Sequence, residues 1–145
     1  RKTEDVFQEA KKISKKMILK KDVDFIVVDF HGEITSEKMA IGHFFDGKAT
    51  LIVGTHTHVP TNDARVLSKG TAYLTDAGMC GDYNSVIGMN AQNSINRFLK
   101  KESIKHFPAK GEGTICGIIV EANPSTGLAE EAKSFIYGGE LKNSN

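Results

Sequence analysis

Two short, nearly unbroken apolar runs limit what this chain can become: Phe25-Ile26-Val27-Val28-Asp29-Phe30 and Ala49-Thr50-Leu51-Ile52-Val53. Neither alternates apolar with polar residues, as a strand with one wet face would. Each suits a strand covered on both faces, in a sheet with a layer on either side. Between them, Thr35-Ser36-Glu37 reads as the cap of a helix, Ala40, Ile41, Phe44 and Phe45 as its apolar face, and Asp46-Gly47 as its stop. Upstream, Thr3-Glu4-Asp5 opens another helix, with a capping hydroxyl and two acids at the positive end of the dipole. Val6, Phe7, Ala10, Ile13, Met17 and Ile18 follow at helical spacing, and Lys15, Lys16, Lys20 and Lys21 form a solvated end. The first third therefore reads helix, strand, helix, strand.

The pattern then changes. Residues 64–67 and 71–75, joined by a Ser-Lys-Gly turn, predict a hairpin. Residues 76–89 are Gly-rich and irregular, and 91–101 suit a helix with Ile95, Phe98 and Leu99 turned inward. A strand over 114–121 meets the turn Asn123-Pro124-Ser125-Thr126-Gly127, which makes 128–137 its partner strand, although 128–133 also holds good helix formers. At 145 residues, with 39% of them hydrophobic, residues 1–145 have room for one domain with a real core. Residues 139–145 are expected to fray. The chain begins with Arg1, not Met, which reads as the cut edge of a longer protein.

Charge excludes some partners. With 19 Lys and Arg against 18 Asp and Glu, no basic field draws in a nucleic-acid duplex or an anionic membrane. No apolar run spans a bilayer and no signal peptide is visible. Cys80 and Cys116 are too few for a disulfide framework or a cysteine zinc site, and they fit a reducing cytoplasm.

The chemistry gathers at histidines. His31 directly follows the first apolar run (VVDFHGE), and His56 and His58 directly follow the second (LIVGTHTHVP). In open α/β sheets, sites form outside the carboxyl ends of the strands, so these three rings are placed to share one crevice. Imidazole is a common ligand for Zn, Fe and Mn, and an extended His-x-His sets both rings on one side of the backbone. Asp29, two positions before His31, is placed to accept a hydrogen bond from a ligating imidazole. Asp76, at the end of a strand, is either a turn former or a neighbour of the crevice. Glu33 is either a helix-entry acid or a site residue. His43 and His106 have no partner pattern and read as structural. Gly78, Gly81 and Gly88 form no dinucleotide or phosphate-loop signature, no Gly-x-Ser-x-Gly elbow occurs, and neither cysteine has an adjacent base.

The stretches VDFHGEITSEKMAIG and VGTHTHVPTNDARVLSKGTAYLTDAGMCGDYNSVIGM resemble the bacterial calcineurin-like metallophosphoesterases of the YmdB type, over about residues 23–121. The resemblance implies an α/β (α+β layered) chain forming the C-terminal half of a four-layer αββα sandwich. It also implies cyclic-nucleotide phosphodiesterase activity at a dinuclear centre of two divalent or trivalent ions (Fe, Mn or Zn). His31 and His56 correspond to ligands of one ion and His58 to a ligand of the other. Gly32 departs from the Ala common after the first of these histidines. The family's early Asp, its bridging carboxylate and its acid/base His have no counterpart here, so no catalytic residue is identified in this chain. The missing N-terminal portion is then a partner, beside the phosphodiester and further copies of the chain, and the chain alone is expected to be weakly active or inactive. Two alternatives remain at this stage: a mononuclear three-His zinc hydrolase, and a non-catalytic assembly domain that pairs through an uncovered sheet edge.

Overall fold

The computed structural model describes residues 5–100 and 105–142. Helix α1 (Val6–Lys16) begins at Asp5, whose carboxylate accepts from the Phe7 N–H, while Thr3 and Glu4 lie outside the described residues. Then come β1 (Val27–His31), α2 (Thr35–Phe45), β2 (Leu51–Thr55), β3 (Arg65–Val66), β4 (Ala72–Leu74), α3 (Ala91–Phe98), β5 (Ile115–Ala122) and β6 (Ala129–Tyr137). One sheet has the order β1-β2-β4-β3, parallel except for the β3–β4 hairpin, and β5 and β6 form a separate antiparallel pair.

The side-chain period of two divides this sheet cleanly. Val28, Phe30 and Ile52 point to one face, where they pack with Ala10 of α1 and with Ile41 and Phe45 of α2. Leu51, Val53, Val66 and Ala72 point to the other, under Ile118, Val120, Ala129 and Ala132 of the β5–β6 hairpin. The described chain is thus a mixed α/β stack of helices, sheet and hairpin. On the hairpin side, Asp29, His31 and Thr55 continue the row begun by Val27, Leu51 and Val53; Leu51 and Val53 are packed under the hairpin, Val27 stays exposed at the edge, and the polar end of the row carries His31.

Several expectations need correction. β1 is an edge strand with alternating exposure, and Val27 is 65% exposed, so this run is not covered on both faces. Helix α2 starts from Ile34 without a side-chain cap, and its buried positions are Lys38, Ile41, Gly42 and Phe45, with Ala40 exposed. Helix α3 ends at Phe98, and Ile95, Phe98 and Leu99 face outward, leaving Ser94 as its buried residue. Periodicity found an apolar side there, but that side stays about half or more exposed. On α1, Ala10 is buried while Ile13, Met17 and Ile18 stay largely exposed. The two hairpins form as expected, with Arg65 opposite Tyr73 and Cys116 opposite Ile136. Residues 101 and 143–145, within the expected helix and the expected frayed tail, lie outside the described residues.

Gly54 fixes the spacing of the central strands. A Cβ there would stand 1.8 Å from the Thr75 carbonyl oxygen and 3.3 Å from the Lys38 side chain. Backbone cannot yield as a flexible side chain does, so Gly54→Ala must part β2 from the chain after β4. The expected loss is about 3 kcal/mol of unfolding free energy, at the upper end for overpacking, read by urea denaturation.

Candidate metal centre

Strands β1, β2 and β4 run parallel, so their carboxyl ends bring His31, the segment after Thr55, and Thr75-Asp76 to one edge of the sheet. Register sets the first contact: His31 lies opposite Thr55. The Thr55 hydroxyl donates to the Asp29 carboxylate at 2.8 Å, and His31 Nδ1 lies 3.1 Å from the same hydroxyl oxygen. On the other side of the ring, His31 Nε2 faces His56 Nδ1 at 3.1 Å, with the two imidazoles edge-on at 86°.

His58 does not join them. Its Nδ1 donates to the Ile87 carbonyl at 3.0 Å, which leaves Nε2 as its lone-pair nitrogen when the ring is neutral. The expectation of an extended His-x-His fails for a backbone reason: His56 has φ 116° and His58 has φ 64°, both in the left-handed region. Glu33 is exposed beyond β1, and His43 and His106 are exposed and outside the cluster.

The strained turn is held from beneath by Asp76. Its carboxylate, fully buried, accepts from the Thr57 N–H at 3.0 Å, between the two left-handed histidines, and from the Gly78 N–H at 2.9 Å. It also pairs with Lys38 Nζ at 2.6 Å, and both side chains are 1% exposed. Burial pushes the Asp76 carboxyl upward, but the Lys38 ammonium and the Thr57 and Gly78 N–H groups outweigh it and hold the group below the ordinary carboxylate range. Tyr83 lies against the same turn, its hydroxyl 3.2 Å from the His58 carbonyl and 3.0 Å from the Met79 carbonyl, which share its single proton. Lys38, Thr55 and Tyr83 went unrecognised in the sequence. For Lys38 a signal existed: it falls at i, i+3 and i+7 with Ile41 and Phe45, a lysine on the buried stripe of a helix.

The facing nitrogens suit a cation. Two ligand nitrogens bonded to one ion at about 2.0–2.1 Å, at roughly 90–110° to each other, stand roughly 2.9–3.4 Å apart. The observed 3.1 Å separation is that of an N–H···N hydrogen bond between the two rings and also falls in that range. Among the described residues no three His, Cys, Asp or Glu side chains converge on one point, so the pair could offer at most two donors to an ion. The three-His mononuclear arrangement is therefore not assembled here.

Comparisons with known proteins give the family and the fold. The family model described as "YmdB-like protein" matches residues 1–135. The 2',3'-cyclic-nucleotide 2'-phosphodiesterase of Bacillus subtilis (strain 168) is 44% identical over 120 residues, covering 83% of this chain and 46% of that protein. The crystal structure of a hypothetical protein from Thermus thermophilus superposes with a TM-score of 0.80 at 34% identity, over 92% of this chain and 50% of that one. The crystal structure of a phosphatase from Mycoplasma pneumoniae gives 0.78 at 42% identity, over 87% and 45%. The chain thus spans about half the length of the relatives it matches. With the family model matching nearly its whole length, the chain belongs to the YmdB-like family.

Proposed function

We propose that this chain carries the imidazole-rich half of a dinuclear phosphodiesterase centre, which in the complete protein hydrolyses cyclic nucleotides or related phosphodiesters. The observation that carries this reading is the facing pair of His31 Nε2 and His56 Nδ1 at the carboxyl ends of two parallel strands. These two would hold one ion of Fe, Mn or Zn type, and His58, its Nδ1 already committed to a carbonyl, would offer Nε2 to a second. When bound, such ions supply an activated water and take up charge developing on the phosphoryl oxygens. The chain's own part is to fix the donors. Asp76 pins the histidine turn from below, and the exposed rings face outward from the sheet.

Beside His58, a cleft of about 470 Å³ is walled by Val86, Ile87, Met89 and Phe98, with Arg97 and Lys100 also lining it. Its apolar walls and cations suit the organic part of an anionic ester. In the proposed complete fold, the helix–sheet–hairpin stack is one half of a four-layer αββα sandwich, and the exposed edge strand β1 supports that reading. The remaining ligands, a bridging carboxylate and an acid/base His would come from outside these 145 residues. The two-donor shell and the half-length match to relatives support this. Further copies of the chain are proposed as partners.

The test is hydrolysis of a 2',3'-cyclic nucleotide by the 145-residue chain and by the longer product of its reading frame, each with Mn, Fe or Zn. The longer product should turn over and the chain alone should not. Turnover by the chain, with its mass confirmed, would refute the half-site. A longer product inactive with every metal would refute the phosphodiesterase reading.

A further inference from the structure

The directions of the hydrogen bonds around His31 define more than its position. A carboxylate only accepts, so the Thr55 hydroxyl proton points to Asp29 across their 2.8 Å contact. The hydroxyl oxygen is then left as an acceptor towards His31 Nδ1, 3.1 Å away. A neutral ring must therefore carry its proton on Nδ1, and Nε2 is left as an acceptor, here towards His56 Nδ1–H at 3.1 Å, a proton that an ion held between the two rings would displace. We infer that Thr55 is a positioning residue: through Asp29 it imposes the Nδ1–H tautomer on His31 and so makes Nε2 a metal donor.

The inference rests on the proposed metal centre for its purpose but not for its geometry. The three residues are brought together by register alone, since Asp29 and His31 share a strand face and Thr55 lies opposite His31. Orientation of a ligating imidazole through its second nitrogen is a general device, and its removal typically lowers metal affinity about 10–100-fold. The relay also explains a residue choice: a valine here would pack as well at the end of β2 but could neither donate to Asp29 nor accept from His31.

The test uses the 145-residue chain, with histidine tautomers read from ¹⁵N shifts and affinity from zinc titration calorimetry. The unsubstituted chain should show His31 with its proton on Nδ1. Thr55→Val should release His31 to the Nε2–H form and weaken zinc binding about 10–100-fold, while Thr55→Ser keeps both properties. Asp29→Ala, a second variant should Thr55→Val not fold, frees the hydroxyl to donate to Nδ1 and should switch the tautomer the same way. His58, anchored on the Ile87 carbonyl, should keep its tautomer in all of them and serves as the internal reference. An Nε2–H His31 in the unsubstituted chain, or unchanged tautomer and affinity in Thr55→Val, overturns the inference. Tautomers that respond as stated in a chain that binds no zinc would uphold the relay and count against the metal centre.

Discussion

Replacing Lys38 by Met should cost about 3–5 kcal/mol of unfolding free energy, because it leaves Asp76 as a buried charge without its counter-ion. That is a large share of the roughly 5–15 kcal/mol that holds a domain of this kind together. The double variant Lys38→Met/Asp76→Asn should be less destabilised than Lys38→Met alone, since it removes the orphaned charge while retaining a side-chain oxygen for one of the two N–H groups. A double-mutant cycle in urea reads this coupling directly. Acid provides an independent check. Asp76 has a folded-state pKa below its ordinary value of 3.8, so its contribution is present above that value and is lost as pH falls through the lowered one. Lys38→Met forfeits that contribution, so its stability deficit should shrink as the solution is taken below the ordinary carboxylate range. A deficit independent of pH would mean that Lys38 acts by packing alone.

Removing either member of the facing pair should abolish the metal site while sparing the fold. His31 and His56 are exposed, so His31→Ala and His56→Ala are expected to change stability by no more than about 0.5 kcal/mol. Zinc binding by the chain should fall below detection in both. In the longer product, each substitution should lower phosphodiester hydrolysis roughly 10³-fold, the scale of several kcal/mol of charge stabilisation. His58→Ala should leave zinc binding by the chain nearly unchanged, because that ring stands on the Ile87 carbonyl and not with the pair. Equal loss from all three substitutions would place the three rings on one ion, contrary to the geometry.

Much of this arrangement is legible without coordinates. The βαβ start, both hairpins and the placing of His31, His56 and His58 at or just past strand ends follow from local periodicity and turn chemistry. What escapes a reading of the sequence depends on pairings distant along the chain. Thr55 matters because it lies opposite His31, 24 residues away. Lys38 is tolerable in the core only because Asp76, 38 residues on, returns beneath the same loop. An extended backbone would let the three histidines share a crevice, and two left-handed residues turn His58 aside instead. Burial departs from expectation where cover, not pattern, decides. β1 is apolar yet lies at a sheet edge, and α3 has an apolar stripe that stays about half or more exposed. Periodicity names the side of an element that seeks cover but not the element that provides it.

The most direct test of the central claim is anomalous diffraction from crystals of the chain soaked in zinc, recorded on both sides of the zinc edge. A single strong peak is expected within about 2.0–2.1 Å of both His31 Nε2 and His56 Nδ1, absent from His31→Ala crystals. Density showing the two rings hydrogen-bonded to each other with no ion between them at saturating zinc would contradict it.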